Sequence, residues 1–89
     1  MISENDRTAI VELARRYDAK RILLFGSGAD PAREARDIDL AVEGIPPQNF
    51  FRFYGELILH LSKPVDLMDL TPDSRLTRII RREGIPLYG

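Results

Sequence analysis

The chain of 89 residues contains no cysteine, no tryptophan and a single histidine. The absence of cysteine excludes disulfide bonds and thiolate metal sites, and one histidine argues against a zinc site. No apolar run approaches the roughly 20 residues needed to cross a bilayer. The first ten residues, MISENDRTAI, are too polar for a signal or transit peptide. We therefore expect a cytoplasmic protein without a membrane segment.

The sequence also lacks an excess of charge of either sign. Its 13 Lys and Arg residues against 14 Asp and Glu residues give a net charge of -1. Nucleic-acid-binding domains usually have a basic excess, so a nucleic-acid partner is not expected. Hydrophobic residues make up 44% of the chain, which is normal for a globular protein. A chain of this length has room for one hydrophobic core, and we expect a single domain over residues 1–89.

Hydrophobic periodicity predicts helices that alternate with short strands. The predicted elements are helices at 3–17, 48–62 and 72–83, strands at 20–25, 37–43 and 64–70, and a short edge strand near 85–89. Ser3 and Asp6 are predicted to form a capping box on the first helix, and Thr71 is predicted to cap the last one, which Gly84 ends. This order of elements predicts an α+β or α/β fold with a small sheet backed by helices.

The two later helices each show an apolar stripe at helical spacing, which predicts the face that each helix buries. The stripe of the second helix consists of Phe50, Phe53, Tyr54, Leu57, Ile58 and Leu61, and that of the third consists of Leu76, Ile79 and Ile80.

Three aspartates stand inside otherwise apolar strands. Asp37 and Asp39 are two positions apart, so both should leave the same face of their strand, and Asp66 lies on the next strand. Two carboxylates about 4 Å apart repel by about 4 kcal/mol at an effective dielectric of 20, against a total stability of about 5–15 kcal/mol. A cluster of this kind requires protonation or a divalent cation. Hard oxygen ligands in a small group favour Mg²⁺.

Gly26 and Ser27 directly follow the first predicted strand. Glycine allows backbone N–H groups to turn toward an anion, and serine adds a hydroxyl donor, so this turn is a candidate phosphate site beside the carboxylates. Metal ions bound by carboxylates and phosphate oxygens are typical of the active sites of phosphoryl-transfer enzymes. Taken singly, a Gly-Ser pair is typical of an ordinary turn and an Asp-x-Asp pair of a solvent-facing strand. The complete set in this order is more specific.

Four segments together resemble the nucleotidyltransferase superfamily of DNA polymerase β type, and more closely its minimal, MntA-like antitoxin members. The segments are LFGSGA, RDIDLAV, PVDLMDL and IIRREGIPLYG. The resemblance implies an α+β fold with a small mixed sheet backed by helices. It also implies that Gly26 and Ser27 hold the triphosphate. By the same resemblance Asp37, Asp39 and Asp66 form the catalytic and metal site for Mg²⁺, and Asp66 assists deprotonation of the attacking hydroxyl.

The resemblance further implies transfer of a nucleoside monophosphate, by default AMP from ATP, to a hydroxyl group. The implied acceptor is a tyrosine of a HEPN-type toxin encoded alongside, and the chain is then its antitoxin. The 89 residues show no second domain that would grip the base and the acceptor, so we expect a partner to complete the site. Two alternatives stay open: a non-catalytic antitoxin or binding module of the same fold, and transfer to RNA ends or to a small hydroxyl or amino compound.

Three further polar residues lie close to these motifs. Arg33 and Arg36 flank the predicted triphosphate site; a surface position is the default for an arginine, and a phosphate contact is the alternative. Asp69 is three positions after Asp66, so it should point to the opposite face of the sheet, where a role at the strand end is expected.

Overall fold

The computed structural model describes residues 2–32 and 36–89, including their side chains except at positions 27 and 28. Within these two ranges, three helices and four strands follow one another. They are α1 (Glu4–Arg16), β1 (Arg21–Phe25), β2 (Ile38–Glu43), α2 (Pro47–His60), β3 (Val65–Asp69), α3 (Arg75–Glu83) and β4 (Ile85–Tyr88), with a 3-10 turn at Gly26–Ala29 after β1. The predicted elements are all present, with ends that differ by a few residues.

The four strands form one mixed sheet in the order β3-β2-β1-β4. β1 is antiparallel to both β2 and β4, whereas β2 and β3 are parallel and are connected by α2. A parallel pair needs such a crossover, because the chain must return to the starting end of the sheet before the second strand begins. The predicted α+β fold with a small mixed sheet is confirmed.

The larger part of the core lies between the sheet and the helices α1 and α2. Alternate residues of the two central strands point to this side, and the helices contribute one face each. The fully buried side chains here include Ile22, Leu24, Ile38, Leu40, Val42, Ile10, Phe53 and Leu57. A continuous apolar layer of this kind accounts for most of the free energy that drives folding.

The opposite face of the sheet is covered only in part, by α3. Ile80 of this helix is buried with Leu23, Ala41 and Leu70 in a second, smaller cluster. Arg81 fixes the helix to the sheet: its guanidinium donates to Glu43 Oε1 at 3.0 Å and to the Leu70 carbonyl at 2.9 Å. The same hydrogen bond from Arg81 lowers the pKa of Glu43 below its ordinary range. α3 is therefore anchored at the end of β2 that is remote from the three aspartates.

The cap of α1 differs from the predicted capping box. Ser3 Oγ accepts from the Asp6 N–H at 3.1 Å, as predicted. The Asp6 carboxylate, however, turns away from Ser3 and accepts from both the N–H and the hydroxyl of Ser62, at 3.0 and 2.6 Å. Because Asp6 is only 4% exposed, these two donors replace the water that the carboxylate loses. The partner lies 56 positions away, which a local motif cannot reveal.

The predicted cap of α3 at Thr71 is wrong. The helix begins at Arg75, and Ser74 and Thr77 form a reciprocal capping box: Ser74 Oγ accepts from the Thr77 N–H, and Thr77 Oγ1 accepts from the Ser74 N–H. The Thr77 hydroxyl also donates to the Pro72 carbonyl at 2.7 Å. These bonds satisfy the first donors of the helix at Ser74, so the helix begins three residues later than Pro72 suggests.

Three residues of the predicted apolar stripes are exposed. Ile58 of α2 is 57% exposed, and Leu76 and Ile79 of α3 are 53% and 37% exposed. The inward face of α3 is formed by Thr77 and Ile80 instead. The reason is that a helix of nine residues, buried only at Thr77 and Ile80, presents a narrow stripe to the sheet.

Within residues 2–32 and 36–89, none of the helices combines the length and the hydrophobicity that a membrane crossing would require.

Substitution by alanine is expected to have opposite effects on stability at two glycines. A Cβ at Gly55, in the middle of α2, would meet no atom within 4 Å, whereas a Cβ at Gly84 would lie 2.6 Å from the Ile80 carbonyl oxygen. Alanine is favoured over glycine in a helix by about 0.5–1 kcal/mol. We expect Gly55→Ala to raise the melting temperature by about 2–8 °C and Gly84→Ala to lower it, as measured by circular dichroism. A lower melting temperature for Gly55→Ala would contradict the open surface that the structure shows there.

Candidate active site

Asp39 is the central acidic residue of the sheet. It lies on β2 opposite Phe25 of β1 and opposite Asp66 of β3. Its neighbours Ile38 and Leu40 point into the main core, so alternation along the strand directs the Asp39 side chain to the other face, the one that α3 covers in part. The carboxylate is half-buried there.

Asp66 comes directly beside Asp39 because β2 and β3 are parallel and in register at this point. Backbones of neighbouring strands are about 4.8 Å apart, and paired residues send their side chains to the same face. Asp66 is exposed, since β3 is an edge strand of the sheet. The structure thus brings these two predicted site residues together.

Asp37 lies one residue before β2 begins, in an exposed bend, and not within the strand as predicted. The strand begins later because the first backbone bond of this segment is donated by Ile38 to the Pro64 carbonyl, at 2.8 Å. Asp37 is nevertheless close enough for its charge to act on Asp39. The three carboxylates therefore lie at one end of the sheet, where Asp39 is half-buried and Asp37 and Asp66 are exposed.

Gly26 is in contact with the Asp39 side chain. Its φ is +69°, in the left-handed region, and a Cβ added there would overlap Oδ2 of Asp39 and lie 3.0 Å from its Cγ. The backbone conformation strains any residue with a Cβ, and a Cβ would force the Asp39 carboxylate to shift. The first residue of the Gly-Ser pair is thus packed directly against the first strand carboxylate, as a phosphate site beside the acidic residues requires.

The remaining residues of the predicted phosphate site are described less fully. Ser27 lies in the 3-10 turn, and its side chain is outside the part that the structure describes. Arg33 is also outside the described residues, and Arg36 is exposed. Their predicted phosphate contacts stay predictions.

Asp69 occupies the position expected of it. It is on the opposite face of β3 from Asp66, and its Oδ1 accepts from the Thr71 N–H at 2.9 Å. Asp69 thus closes the turn after β3 and does not belong to the acidic cluster.

The charges of the cluster act mainly on Asp39. Burial raises the pKa of the Asp39 carboxyl above its ordinary value, and the neighbouring charges of Asp66 and Asp37 raise it further. A cation beside Asp39 would remove the second cause by neutralising the neighbouring carboxylates.

The chemistry of these donors fits Mg²⁺, which binds hard carboxylate oxygens. Within residues 2–32 and 36–89, no three His, Cys, Asp or Glu side chains lie close enough to hold a metal ion by themselves. This arrangement is compatible with Mg²⁺, because the ion usually takes only one or two carboxylates and completes its shell with water and substrate phosphates. A shared role of Asp37, Asp39 and Asp66 as metal ligands stays a prediction.

Solved structures place the fold in a family. No protein-family model and no curated protein sequence matches the chain. A solved structure described as a minimal nucleotidyltransferase is 34% identical, with 90% of this chain and 87% of that chain covered and a TM-score of 0.71. The chain belongs to the minimal nucleotidyltransferases. This confirms the family that the motifs indicated.

Two other solved structures similar to this nucleotidyltransferase are toxin–antitoxin complexes. One is a crystal structure of a toxin–antitoxin with AMP-PNP, at 27% identity and a TM-score of 0.75, covering 93% of this chain and 73% of that one. The other is a tri-AMPylated Shewanella oneidensis HEPN toxin in complex with the MNT antitoxin, at 27% identity and a TM-score of 0.71, covering 94% and 70%.

A cleft beside the Gly-Ser turn is not apparent from the sequence motifs. Leu76 and Ile79 of α3 form one wall of it, and Phe25 and Gly26 lie on the other side. The only signal for it in the sequence is the apolar spacing on α3, which by itself predicts a buried helix face. The sequence does not indicate that α3 covers the sheet only in part.

Asp39→Asn should stabilise the folded chain of this nucleotidyltransferase in the absence of metal. Because the folded-state pKa of Asp39 is raised, ionisation of this group opposes folding above that pKa, and the effect disappears below the ordinary value of 3.8. We expect a higher melting temperature for Asp39→Asn at pH 7 in EDTA, and no difference near pH 3. Asp69→Asn, which removes the same charge outside the cluster, should show no such gain. An Asp39→Asn protein less stable than the parent at pH 7 would contradict this electrostatic account.

Proposed function

We propose that this nucleotidyltransferase transfers AMP from ATP, with Mg²⁺, to a tyrosine hydroxyl of a cognate HEPN-type toxin and thereby acts as its antitoxin. The observation that supports the chemistry best is the position of Asp39, which lies between Gly26 and Asp66. A phosphate site and a carboxylate pair are adjacent there, as transfer of a phosphoryl group to a hydroxyl requires.

The similar structures support the choice of nucleotide and acceptor. One of them is a toxin–antitoxin with an ATP analogue, which favours ATP as the donor. Another is an AMPylated HEPN toxin held by an MNT antitoxin, which favours a toxin of this type as the acceptor of AMP.

Each site residue has a role in this proposal that suits its position. The turn at Gly26 and Ser27 holds the triphosphate, since the glycine removes any side chain between the turn and Asp39. Asp37 and Asp39 would hold Mg²⁺ on the adjacent strand end. When bound, Mg²⁺ lowers the pKa of the attacking hydroxyl and neutralises charge on the departing pyrophosphate.

Asp66 is the proposed proton acceptor. It is exposed on an edge strand, so a hydroxyl from another macromolecule can approach it without any movement of the sheet. The tyrosine oxygen forms a bond to the α-phosphorus, the bond from that phosphorus to the bridging oxygen breaks, and pyrophosphate leaves. The phenolic proton passes to Asp66, and general-base assistance of this kind contributes about 10²–10⁴-fold.

The experiment that tests the proposal uses the protein encoded by the adjacent gene. The two proteins are purified, mixed with ATP and MgCl₂, and the partner is weighed by intact-mass spectrometry. We expect a mass increase of one or more AMP units on the partner, located on tyrosine by peptide mapping, and none in EDTA. An unmodified partner in the presence of a stable complex would refute the AMP transfer.

Asp39→Asn and Asp66→Asn should each reduce the rate of this transfer by about 100-fold or more, because each removes a group that acts on the reacting atoms. Asp69→Asn is the matched control on the same strand as Asp66. It should transfer AMP at the parental rate, because the side-chain oxygen of Asn can still accept the hydrogen bond from the Thr71 N–H. Equal loss in all three variants would indicate a folding defect and not a catalytic role.

The second candidate is a non-catalytic antitoxin that blocks the toxin by contact. Exposed apolar side chains on α2 favour it, because Phe51 and Leu59 are 79% and 81% exposed and could be covered by a partner without any use of the carboxylates. The two candidates differ in one cell-based result. If Asp39→Asn rescues growth against the toxin as well as the parent does, contact alone is sufficient.

A further inference from the structure

Helix α2 is apolar on the side that it turns away from the sheet as well as on the side that it buries. Phe53 and Leu57 are fully buried against the sheet. On the other side of the helix, Phe51, Ile58 and Leu59 are 79%, 57% and 81% exposed. They are three of the five large apolar side chains that are exposed in the described part of the chain. The solvent side of a surface helix is normally polar, and an apolar patch there is typical of an interaction site.

Gly55 lies at the centre of this patch. Phe51 and Leu59 are four positions before and after it, so at about 3.6 residues per turn all three lie on one side of the helix. A Cβ at Gly55 would meet no atom within 4 Å, so the backbone is open to the outside there. A second helix can therefore approach α2 more closely at Gly55 than at a residue with a side chain. We call Phe51, Gly55, Ile58 and Leu59 the outer face of α2.

The spacing of these residues favours a second copy of this chain as the partner. In a two-fold dimer each surface must be complementary to itself. If two α2 helices cross in opposite directions at Gly55, Phe51 of each copy meets Ile58 and Leu59 of the other, because these residues lie at nearly equal distances on either side of the glycine. The large side chains then fill the space beside the two glycines in both halves of the interface.

The charges beside the outer face are complementary in the same arrangement. Arg52 and Glu56 lie on the same flank of α2, one turn apart. The two-fold axis brings Arg52 of one copy to within about 3 Å, measured along the helix axis, of Glu56 of the other, and the reverse pair forms by symmetry. Glu56 lies 3.7 Å from Arg16 of its own chain and keeps 29% of its side chain exposed, so it can accept from a second cation.

The size of the outer face predicts a weak dimer. A helix of 14 residues is about 21 Å long and, with its side chains, about 10 Å wide. Two such faces in contact bury on the order of 1,000 Å² in total, which is the lower limit for a specific interface. Association should therefore depend strongly on protein concentration.

We propose that two copies of this chain associate through their α2 helices, which cross in opposite directions at Gly55 with Phe51 of each copy against Leu59 of the other. This inference is independent of the proposed AMP transfer. Because α2 covers the face of the sheet opposite to the Asp39 and Asp66 side chains, both acidic clusters stay open on the outside of the dimer.

Sedimentation velocity of the full chain without its toxin, from about 10 µM to about 1 mM, measures this association. We expect a monomer–dimer equilibrium in which Phe51→Ser and Leu59→Ser each weaken the dimer by about tenfold or more, because a two-fold dimer buries each side chain twice. Leu76→Ser is the matched control, since Leu76 is a 53% exposed apolar residue on α3, on the other side of the sheet. It should associate as the parent does.

Gly55→Gln separates docking from folding. Its side chain would occupy the point at which the helices cross, so this variant should also weaken the dimer by about tenfold or more. The melting temperature of the monomer should not fall, because the space at Gly55 is open and glutamine is favoured over glycine in a helix. A folding defect would instead lower both quantities together.

Arg52→Glu and Glu56→Lys test the antiparallel arrangement. Each variant alone should form a weaker dimer than the parent, because like charges then meet in both halves of the interface. An equimolar mixture of the two variants should recover association, since opposite charges meet again in both pairs. A mixture that associates no better than either variant alone would overturn the proposal.

Two further results would overturn it. One is a parent chain that stays monomeric up to about 1 mM, and the other is a dimer that Phe51→Ser and Leu59→Ser leave intact. A monomeric parent whose Phe51→Ser variant loses affinity for the toxin would assign the outer face of α2 to the toxin and not to a second copy. AMP transfer is measured on the mass of the toxin, so it stands or fails separately from each of these outcomes.

Discussion

The contact between the Asp39 carboxylate and the Cα of Gly26 is the constraint on which the site depends. It fixes the end of β1 against the middle of the acidic cluster, and it requires both a positive φ and the absence of a side chain at one residue. No other amino acid satisfies both conditions. The turn that follows β1 and the Asp39 carboxylate therefore lie next to each other with no side chain between them.

Much of this arrangement can be predicted from local sequence patterns. Alternation along a strand places Asp39 on one face and Ile38 and Leu40 in the core, and the helical spacing of Phe53 and Leu57 identifies the buried side of α2. The offset of Asp69 from Asp66 correctly separates the two by face. These predictions need only the repeat of about 3.6 residues in a helix and of two residues in a strand.

What the sequence could not predict depends on residues that are distant along the chain. The Asp6 carboxylate binds Ser62, and Arg81 of α3 binds Glu43 of β2. The exposure of Leu76 and Ile79 depends on where α3 lies on the sheet and so cannot be obtained from the spacing of apolar residues on the helix. Helix propensity and hydrophobic periodicity describe one element at a time. The part of a sheet face that a helix covers depends on the helix and the sheet together.

The parallel register of β2 and β3 makes the acidic pair depend on the length of the crossover between them. Asp39 and Asp66 meet only because the chain through α2 delivers β3 in one alignment out of several. A strand shifted by one residue turns every side chain to the opposite face. Deletion of a single residue between Leu61 and Val65 would thus turn Asp66 into the core or move it away from Asp39, although both aspartates would remain in the sequence. A chain that retains every motif residue could therefore still lose its activity.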